Sequence, residues 1–268
     1  MRRALLALAV LAAVLFNAGP FLWQLLTSLR PESELTEIGL PSALSLESYR
    51  RAFAGQPLGR AILNSALVAS ATTLLCLTVG AAAAFALAKL PVRGRRFILG
   101  AALLASMFPQ VATLSPLYLI LRALGLRDQL AGLVLPYTTF ALPMTLWMMH
   151  SFFREVPSGI YRAAISDGCS PLQALTKVML PLAAPAMATT AILVFISSWN
   201  ELLYALTFIS SAKSRTVPVA ISMFAGEHKE PWGEIAAASV VAMMPVIVAA
   251  LVFQRWIVTG ITTNVRKG

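Results

Sequence analysis

Residues 161–185 read Tyr161-Arg-Ala-Ala-Ile-Ser-Asp-Gly-Cys-Ser-Pro-Leu-Gln-Ala-Leu-Thr-Lys-Val-Met-Leu-Pro-Leu-Ala-Ala-Pro185. Tyr161, Ala164, Ile165, Gly168, Leu172 and Leu175 recur at spacings of three and four, the period of a helix with one apolar face. Asp167-Gly168 interrupts the pattern. Gly168 accepts backbone angles that other residues resist, so a bend is predicted there. Ser170-Pro171 then restarts a helix, with Ser at the N-cap, Pro at N1 and Gln173 at N3 to close a capping box. The stretch is therefore expected to be a short helix, a bend, and a second short helix leading to Leu180-Pro181.

On both sides of this stretch lie long apolar runs. Of the 268 residues, 58% are hydrophobic and 12% charged, against roughly 25% charged in a soluble domain. A spanning helix needs about 20 apolar residues, and six stretches qualify: 4–29, 61–88, 97–121, 129–153, 178 to about 209, and 235 to about 257. A cleaved export signal competes for the first. Its length and the lack of a small-x-small cleavage site favour a retained helix. Asn17-Ala18-Gly19-Pro20 is expected to kink it. Gly80-Ala81-Ala82-Ala83-Ala84 is small enough for close helix approach. Pro109 and Pro116 lie inside the third run, Pro136 and Pro143 inside the fourth and Pro245 inside the sixth, and the carbonyls they free need neighbours or a cavity. Residues 31–59 and 210–234 are polar and read as extramembrane loops.

Basic residues orient the chain. With the N-terminus inside, the short inner segments carry Arg2, Arg3, Lys89, Arg93, Arg95, Arg96, Arg154, Arg162, Lys177, Arg255, Arg266 and Lys267. Nine basic residues are spread over the longer outer loops. Glu155 and Asp167 are the acidic residues inside, so the net charge of +10 gathers at the inner headgroups and nucleic acid is not needed to explain it. Cys76 and Cys169 form neither a metal pattern nor a disulfide framework. No Gly-rich phosphate loop followed by Lys and Ser/Thr is present, so neither ATP hydrolysis nor a cofactor is expected of this chain.

Residues 161–185 resemble the EAA loop of ABC importer permeases. The matches are Ala163, Ala164, Asp167, Gly168, Leu180, Pro181 and Pro185. Arg162 stands where the family has Glu, and Cys169 where it usually has Ala. Beyond the loop the chain is similar over nearly its whole length to the smaller permease subunit of maltose/trehalose-type importers. The matching residues include Ser28-Leu29-Arg30-Pro31, Tyr49-Arg50, Asn64-Ser65, Met107-Phe108-Pro109, Leu135-Pro136-Tyr137, Trp199-Asn200-Glu201, Trp232-Gly233 and Gln254-Arg255.

That resemblance implies an all-α, six-span membrane protein with the type I importer permease fold. An N-terminal helix and external loop (1–60) would precede a permease core (61–257) holding the cytoplasmic loop 154–177, and a short tail (258–268) would follow. It further implies a second permease as heterodimer partner, a pair of ATPase subunits and an extracytoplasmic sugar-binding protein, in the plasma or inner membrane with both termini cytoplasmic. In that family the EAA loop is the coupling helix, so Tyr161, Arg162, Ala163, Ala164, Asp167, Gly168 and Leu172 are expected to meet the ATPase. Phe224, Glu227, His228 and Trp232 would reach toward the binding protein.

Glu201 is the one acidic residue within an expected span, where ionisable groups usually face a cavity or a partner. With Trp199 and Asn200 it is a candidate lining of a sugar route; snorkelling or capping of helix packing is the competing reading. His150, near the inner end of the fourth span, reads as an interfacial residue rather than a proton relay. A secondary transporter working alone would want charged relays or inverted repeats. A membrane-embedded enzyme would want clustered His, Asp, Glu or Ser–Lys groups. Neither pattern stands out. Trehalose or maltose is the expected solute by resemblance, with sugar alcohols, other oligosaccharides and glycerol phosphate open.

Overall fold

The computed structural model describes residues 2–35, 37, 39–224 and 231–265, with 2, 4 and 255–265 described by backbone alone. Helices run in the order α1 (Arg2–Ser28), α2 (Glu47–Gly55), α3 (Leu58–Lys89), α4 (Arg95–Ser106), α5 (Leu114–Ala123), α6 (Leu130–Glu155), α7 (Ser158–Ser166), α8 (Pro171–Ala174), α9 (Leu180–Leu182), α10 (Ala184–Trp199), α11 (Leu203–Phe208), α12 (Val217–Ser222) and α13 (Trp232–Val265). No strand occurs among the described residues.

Four helices are long and apolar enough to cross a bilayer: Leu5–Ser28 of α1, all of α3 and α6, and Trp232–Gln254 of α13. The expected third and fifth spans are broken instead. Arg95–Ser106 and Gln110–Ala123 meet at 95°, and Pro171–Leu182 and Ala184–Trp199 at 81°. Counting each bent pair as one span gives six. The first break falls at Met107-Phe108-Pro109, because the residue before Pro is pushed out of the helical region and Pro lacks an N–H to continue the ladder. The fifth span was expected to start at Val178. Its longer part, α10, starts at Ala184 and has 16 residues, about 24 Å of helix.

α3 lies at the centre and packs chiefly on α6 and then on α10. Its Gly-Ala run makes this possible. A Cβ built on Gly80 would lie 2.6 Å from Thr145 Cγ2 and 3.2 Å from Thr145 Cβ, so the two backbones approach as closely as glycine allows. Toward the α7 end, Phe85, Met149, Phe153, Leu175 and Met179 form one core; toward the other, Leu121, Leu133, Tyr137, Tyr204 and Phe208 form a second. α1 presents Leu5, Leu8, Leu11 and Phe16 outward and packs on α13. An outward apolar face of this kind suits a lipid solvent.

Residues 210–224, expected to be a polar connector, are largely folded. Val217, Val219 and Ala220 of α12 are buried. The signal was present as the apolar run Val217-Pro218-Val219-Ala220-Ile221.

Candidate functional site

The bent element is built locally. At the end of α7, Gly168 takes φ +87°, the Cys169 N–H donates to the Ala164 carbonyl and the Gly168 N–H to that of Ile165, both at 3.0 Å. This pair of bonds is a Schellman motif with its glycine at C′. Ser170 Oγ accepts the Gln173 N–H at 3.3 Å and Gln173 Oε1 accepts the Ser170 N–H at 2.9 Å, the capping box, with Pro171 at N1. The second helix does not stop at Leu180-Pro181. It runs on to Leu182 through a π-turn over Leu175–Met179. Pro181 has no N–H for the Lys177 carbonyl four residues back, and a widened turn absorbs that loss.

This element is held rigidly from within. The Tyr161 ring lies edge-on to Phe85 of α3 with centroids 5.6 Å apart, and Ala164 is buried. Lys89 at the end of α3 donates to the Val156 carbonyl just before α7, at 2.5 Å. Arg162, Ala163, Asp167, Gly168 and Leu172 are exposed on the other side. Tyr161 and Ala164 thus anchor the element, while the others present a free face with one cation and, at Leu172, one large apolar side chain. Asp167 accepts no hydrogen bond among the described residues; Ser170 holds the free N–H of the second helix.

The second expected site is the break after α10. Glu201 Oε1 accepts the Tyr204 N–H at 2.9 Å and Oε2 the Ala205 N–H at 3.2 Å. The carboxylate therefore satisfies two of the free N–H groups at the start of α11. Asn200 turns its amide back onto the Ile196 carbonyl at 3.0 Å. Trp199 is buried and stacks on Phe195, centroids 5.7 Å apart. Trp199 and Asn200 also edge a cleft of about 530 Å³ among α1, α10, α12 and α13, whose lining is apolar apart from Asn200 and Ser239. Trp199, expected to help line a sugar route, spends its ring chiefly on the core.

The outward-reaching residues separate. Phe224 is buried against Ala52, Leu58, Ala237 and Ala238, so its ring is committed to the fold. Glu227 and His228 lie outside the described residues. Trp232 is exposed and borders a smaller cleft of about 250 Å³ with Glu32, Glu47, Ser48, Arg51 and Glu234. Arg51 pairs there with both Glu32 and Glu47, and hydrogen bonds from Arg50 and Arg51 hold the Glu47 carboxyl below its ordinary range.

Sequence reasoning missed the residues that fasten the outer loops. Asp128 Oδ1 accepts the N–H groups of Ser210 and Ser211, both at 2.9 Å, and the Ser211 hydroxyl at 3.0 Å. Asp128 holds φ +60° to do so, a left-handed angle that Asp tolerates better than most residues. Asn64 Nδ2 donates to the carbonyls of Lys213 and Arg215, and Ser65 Oγ accepts the Val217 N–H. Ser28 and Tyr49 share a hydrogen bond of 2.8 Å. The Arg30 guanidinium donates to the Glu37 and Gly39 carbonyls and lies over the Trp23 ring. Except at Arg30, these partners lie 21 residues or more apart in sequence, so no local pattern announces them. Among the described residues, no group of His, Cys, Asp and Glu side chains is placed to hold a metal.

Residues 76–263 match the family described as binding-protein-dependent transport system inner membrane component. The trehalose transport system permease protein SugB of Mycobacterium tuberculosis is 45% identical over 93% of this chain and 92% of its own length. The sulfoquinovosyl glycerol transport system permease protein SmoH of Agrobacterium fabrum is 41% identical over 97% and 93%. The trehalose/maltose transport system permease protein MalG of Thermococcus litoralis is 36% identical over 100% and 98%. A chain of a bacterial ABC transporter involved in the import of the acidic polysaccharide alginate superposes with a TM-score of 0.79 at 24% identity, covering 95% of this chain and 96% of that one. This last likeness bears on the fold alone.

Proposed function

Because the chain belongs to the family of binding-protein-dependent transport system inner membrane components, we propose that it is one of two permease subunits enclosing the route of a sugar importer. A separate ATPase drives transport, and an extracytoplasmic binding protein delivers the solute. The solute is a disaccharide of the trehalose/maltose kind. The observation that carries this choice is the 45% identity, across almost the whole chain, to a trehalose permease. The 41% identity to a sulfoquinovosyl glycerol permease supports a second reading, a glycoside with an anionic sugar.

The element 158–182 is the contact with the ATPase, docked through Arg162, Ala163, Asp167 and Leu172 and braced on α3 through Tyr161. Asn200 and Glu201 border the sugar route between the end of α10 and the start of α11. Both termini face the cytoplasm, and the loop before α13 faces the binding protein. A single cysteine at position 228 should then react with an impermeant thiol reagent added from outside; labelling from the cytoplasm alone would reverse this topology.

Transport is tested on the assembled complex in proteoliposomes, with its second permease, ATPase and binding protein. ATP-dependent trehalose uptake, blocked by excess maltose but not by sulfoquinovosyl glycerol, is the expected result. Uptake of the sulfonated glycoside alone would favour the second reading, and uptake without the ATPase would sink both.

A further inference from the structure

Of the six spans, α3 alone is neither broken nor interrupted by proline. α1 holds Pro20, α6 holds Pro136 and Pro143, and α13 holds Pro245; the third and fifth spans are bent by 95° and 81°. Prolines and breaks are where helices bend. α3 runs for 32 residues, about 48 Å of helix, longer than the roughly 30 Å apolar core of a bilayer. Its two ends grip opposite parts of the molecule. Beside α7, Phe85 and Lys89 lie one turn apart on one face of α3. The Phe85 ring meets Tyr161 of α7 and Phe153 of α6, with centroids 5.6 and 6.0 Å away. Lys89 donates to the carbonyl of Val156, in the extended joint Val156-Pro157 between α6 and α7. Backbone bonds stop at that joint: the Val156 N–H turns back to Phe152 and the Ile160 N–H to Pro157. Among the described residues, Lys89 supplies the side-chain hydrogen bond there. At the other end, Asn64 and Ser65 are 5% and 3% exposed. Asn64 donates to the carbonyls of Lys213 and Arg215, and Ser65 accepts the Val217 N–H. α12 lies on the same stretch of α3, Ala61 sharing a core with Val217 and Ala220, and Val68 with Val219.

We propose that α3 carries movement between the ATPase face and the binding-protein face, with Lys89 and Asn64 as the residues that position its two attachments. This rests on the import reading above, in which α7 meets the ATPase and the loop before α13 faces the binding protein. An extended joint transmits little by itself, because its backbone angles can absorb a displacement of α7. Lys89 closes that joint from the side. Its ammonium lies where α3 and α6 both end, and a cation is favoured by both helix dipoles there. A displacement of α7 then moves Val156, Lys89 and the last turn of α3 together, and Phe85 follows through Tyr161. An unkinked helix passes this on to Asn64 and Ser65. These hold residues 213–217 by main-chain atoms, and that segment leads through α12 to the outer loop. The broken spans suit the opposite role, since a break absorbs motion. Coupling of this kind needs a rigid element with a discrete contact at each end.

The test uses the assembled complex in proteoliposomes, with its second permease and ATPase, and reads the ratio of ATPase rates with and without sugar-loaded binding protein outside. Lys89→Met, which keeps the stem and removes the donor, should lower that ratio about fivefold or more, the lower range of an allosteric coupling. Lys89→Arg restores a donor and should keep the ratio near that of the unaltered complex. Asn64→Leu, similar in shape, should lower it as Lys89→Met does, although about 38 Å of helix separates the two residues. Where Asn64→Leu does not assemble, Ser65→Ala takes its place. The double variant should fall no further than the worse single one, because a helix released at either end is already disconnected. Asp128→Gly accepts the left-handed backbone and frees Ser210 and Ser211 without touching α3, so it should leave the ratio unchanged. A normal ratio in Lys89→Met and in the outer variant overturns the proposal, as do losses that multiply in the double variant or an equal loss in Asp128→Gly. A ratio lost in Gly168→Val but kept in Lys89→Met overturns the α3 route alone. No stimulation of the unaltered complex by the binding protein would overturn the import reading, and this inference with it.

Discussion

The hydroxyls of Thr113 and Tyr204 lie 2.7 Å apart, and this bond ties the third span, just past its break, to α11 beyond the end of α10. Thr113 ends the short 3₁₀ turn that follows Pro109. Tyr204 sits in the first turn of α11, beside the backbone N–H that Glu201 caps. The Tyr204 ring is fully buried and stacks on Phe208. Tyr204→Phe and Thr113→Val should each destabilise the complex by about 0.5–1.5 kcal/mol. The double variant should cost no more than the worse single one. Additive losses in thermal unfolding of the detergent-solubilised complex would mean that the two hydroxyls do not act as a pair.

Glu201 has two candidate roles, and its hydrogen bonds separate them. As a cap, its carboxylate is worth about 1 kcal/mol to α11. Glu201→Ala should lower the unfolding temperature as well as sugar uptake. Glu201→Gln keeps an acceptor oxygen and should regain most of the stability. If uptake returns with it, capping is the whole role. If uptake stays low in a complex of normal stability, the charge itself serves the sugar route.

The α3–α6 contact makes a sharper demand. At Gly80 an added methyl meets Thr145 Cγ2 and Cβ, and neither can swing away because Thr145 sits mid-helix, with its hydroxyl on the Ala141 carbonyl. Overpacking of this kind costs about 1–3 kcal/mol. Gly80→Ala should therefore weaken the complex measurably, and Gly80→Val should prevent its purification. Thr145→Ser, which deletes the offending methyl, should rescue Gly80→Ala in thermal unfolding. No rescue would mean that the limit lies elsewhere on α3.

Asp128 supplies a pH dependence. Hydrogen bonds from Ser210 and Ser211 hold its carboxyl below the ordinary carboxylate value. Its contribution is present above the unfolded value, near 3.9, and is lost as pH falls through the lower folded value. Proteolysis within 210–216 should thus rise in acid below about pH 4 and stay flat above it. Asp128→Asn tolerates the left-handed backbone and keeps an acceptor oxygen, so it should open the loop slightly at every pH and remove the acid step. An unchanged acid step in Asp128→Asn would assign it to another carboxyl.

What was legible in the sequence was what neighbouring residues decide. Gly168, Ser170, Pro171 and Gln173 lie within six positions of one another, and their bend and capping box appear as expected. The apolar runs likewise marked the helices of the bundle. The break at Met107–Pro109 was not legible, because a proline in an apolar run reads equally as a kink or as an end. Phe224 reads as a loop aromatic until Ala52 and Ala237 are seen beneath it. Asp128 and Asn64 act on carbonyls and N–H groups more than 80 residues away, a relation no window of sequence contains.

Coupling gives the most exacting test, at Gly168. Nothing lies within 4 Å of a Cβ built there, so a larger side chain meets no clash and any penalty comes from the backbone alone. At φ +87° that penalty for a β-branched residue is about 1–3 kcal/mol, enough to unwind the Schellman turn and swing α8 relative to α7. Tyr161 would still hold α7 on Phe85, so the two halves of the element would lose their fixed angle while the bundle stayed folded. Gly168→Asn, which accepts left-handed angles, should retain most uptake. Gly168→Val should keep the spans intact yet separate ATP hydrolysis from sugar uptake, or release the ATPase. Arg162 is exposed and unpaired among the described residues, so Arg162→Glu should be mild unless the ATPase offers it an acidic partner. Sugar-stimulated ATPase activity and uptake in reconstituted complexes distinguish these outcomes. Normal coupling in Gly168→Val would remove the bent element from the transmission of energy, whatever its likeness to other permeases.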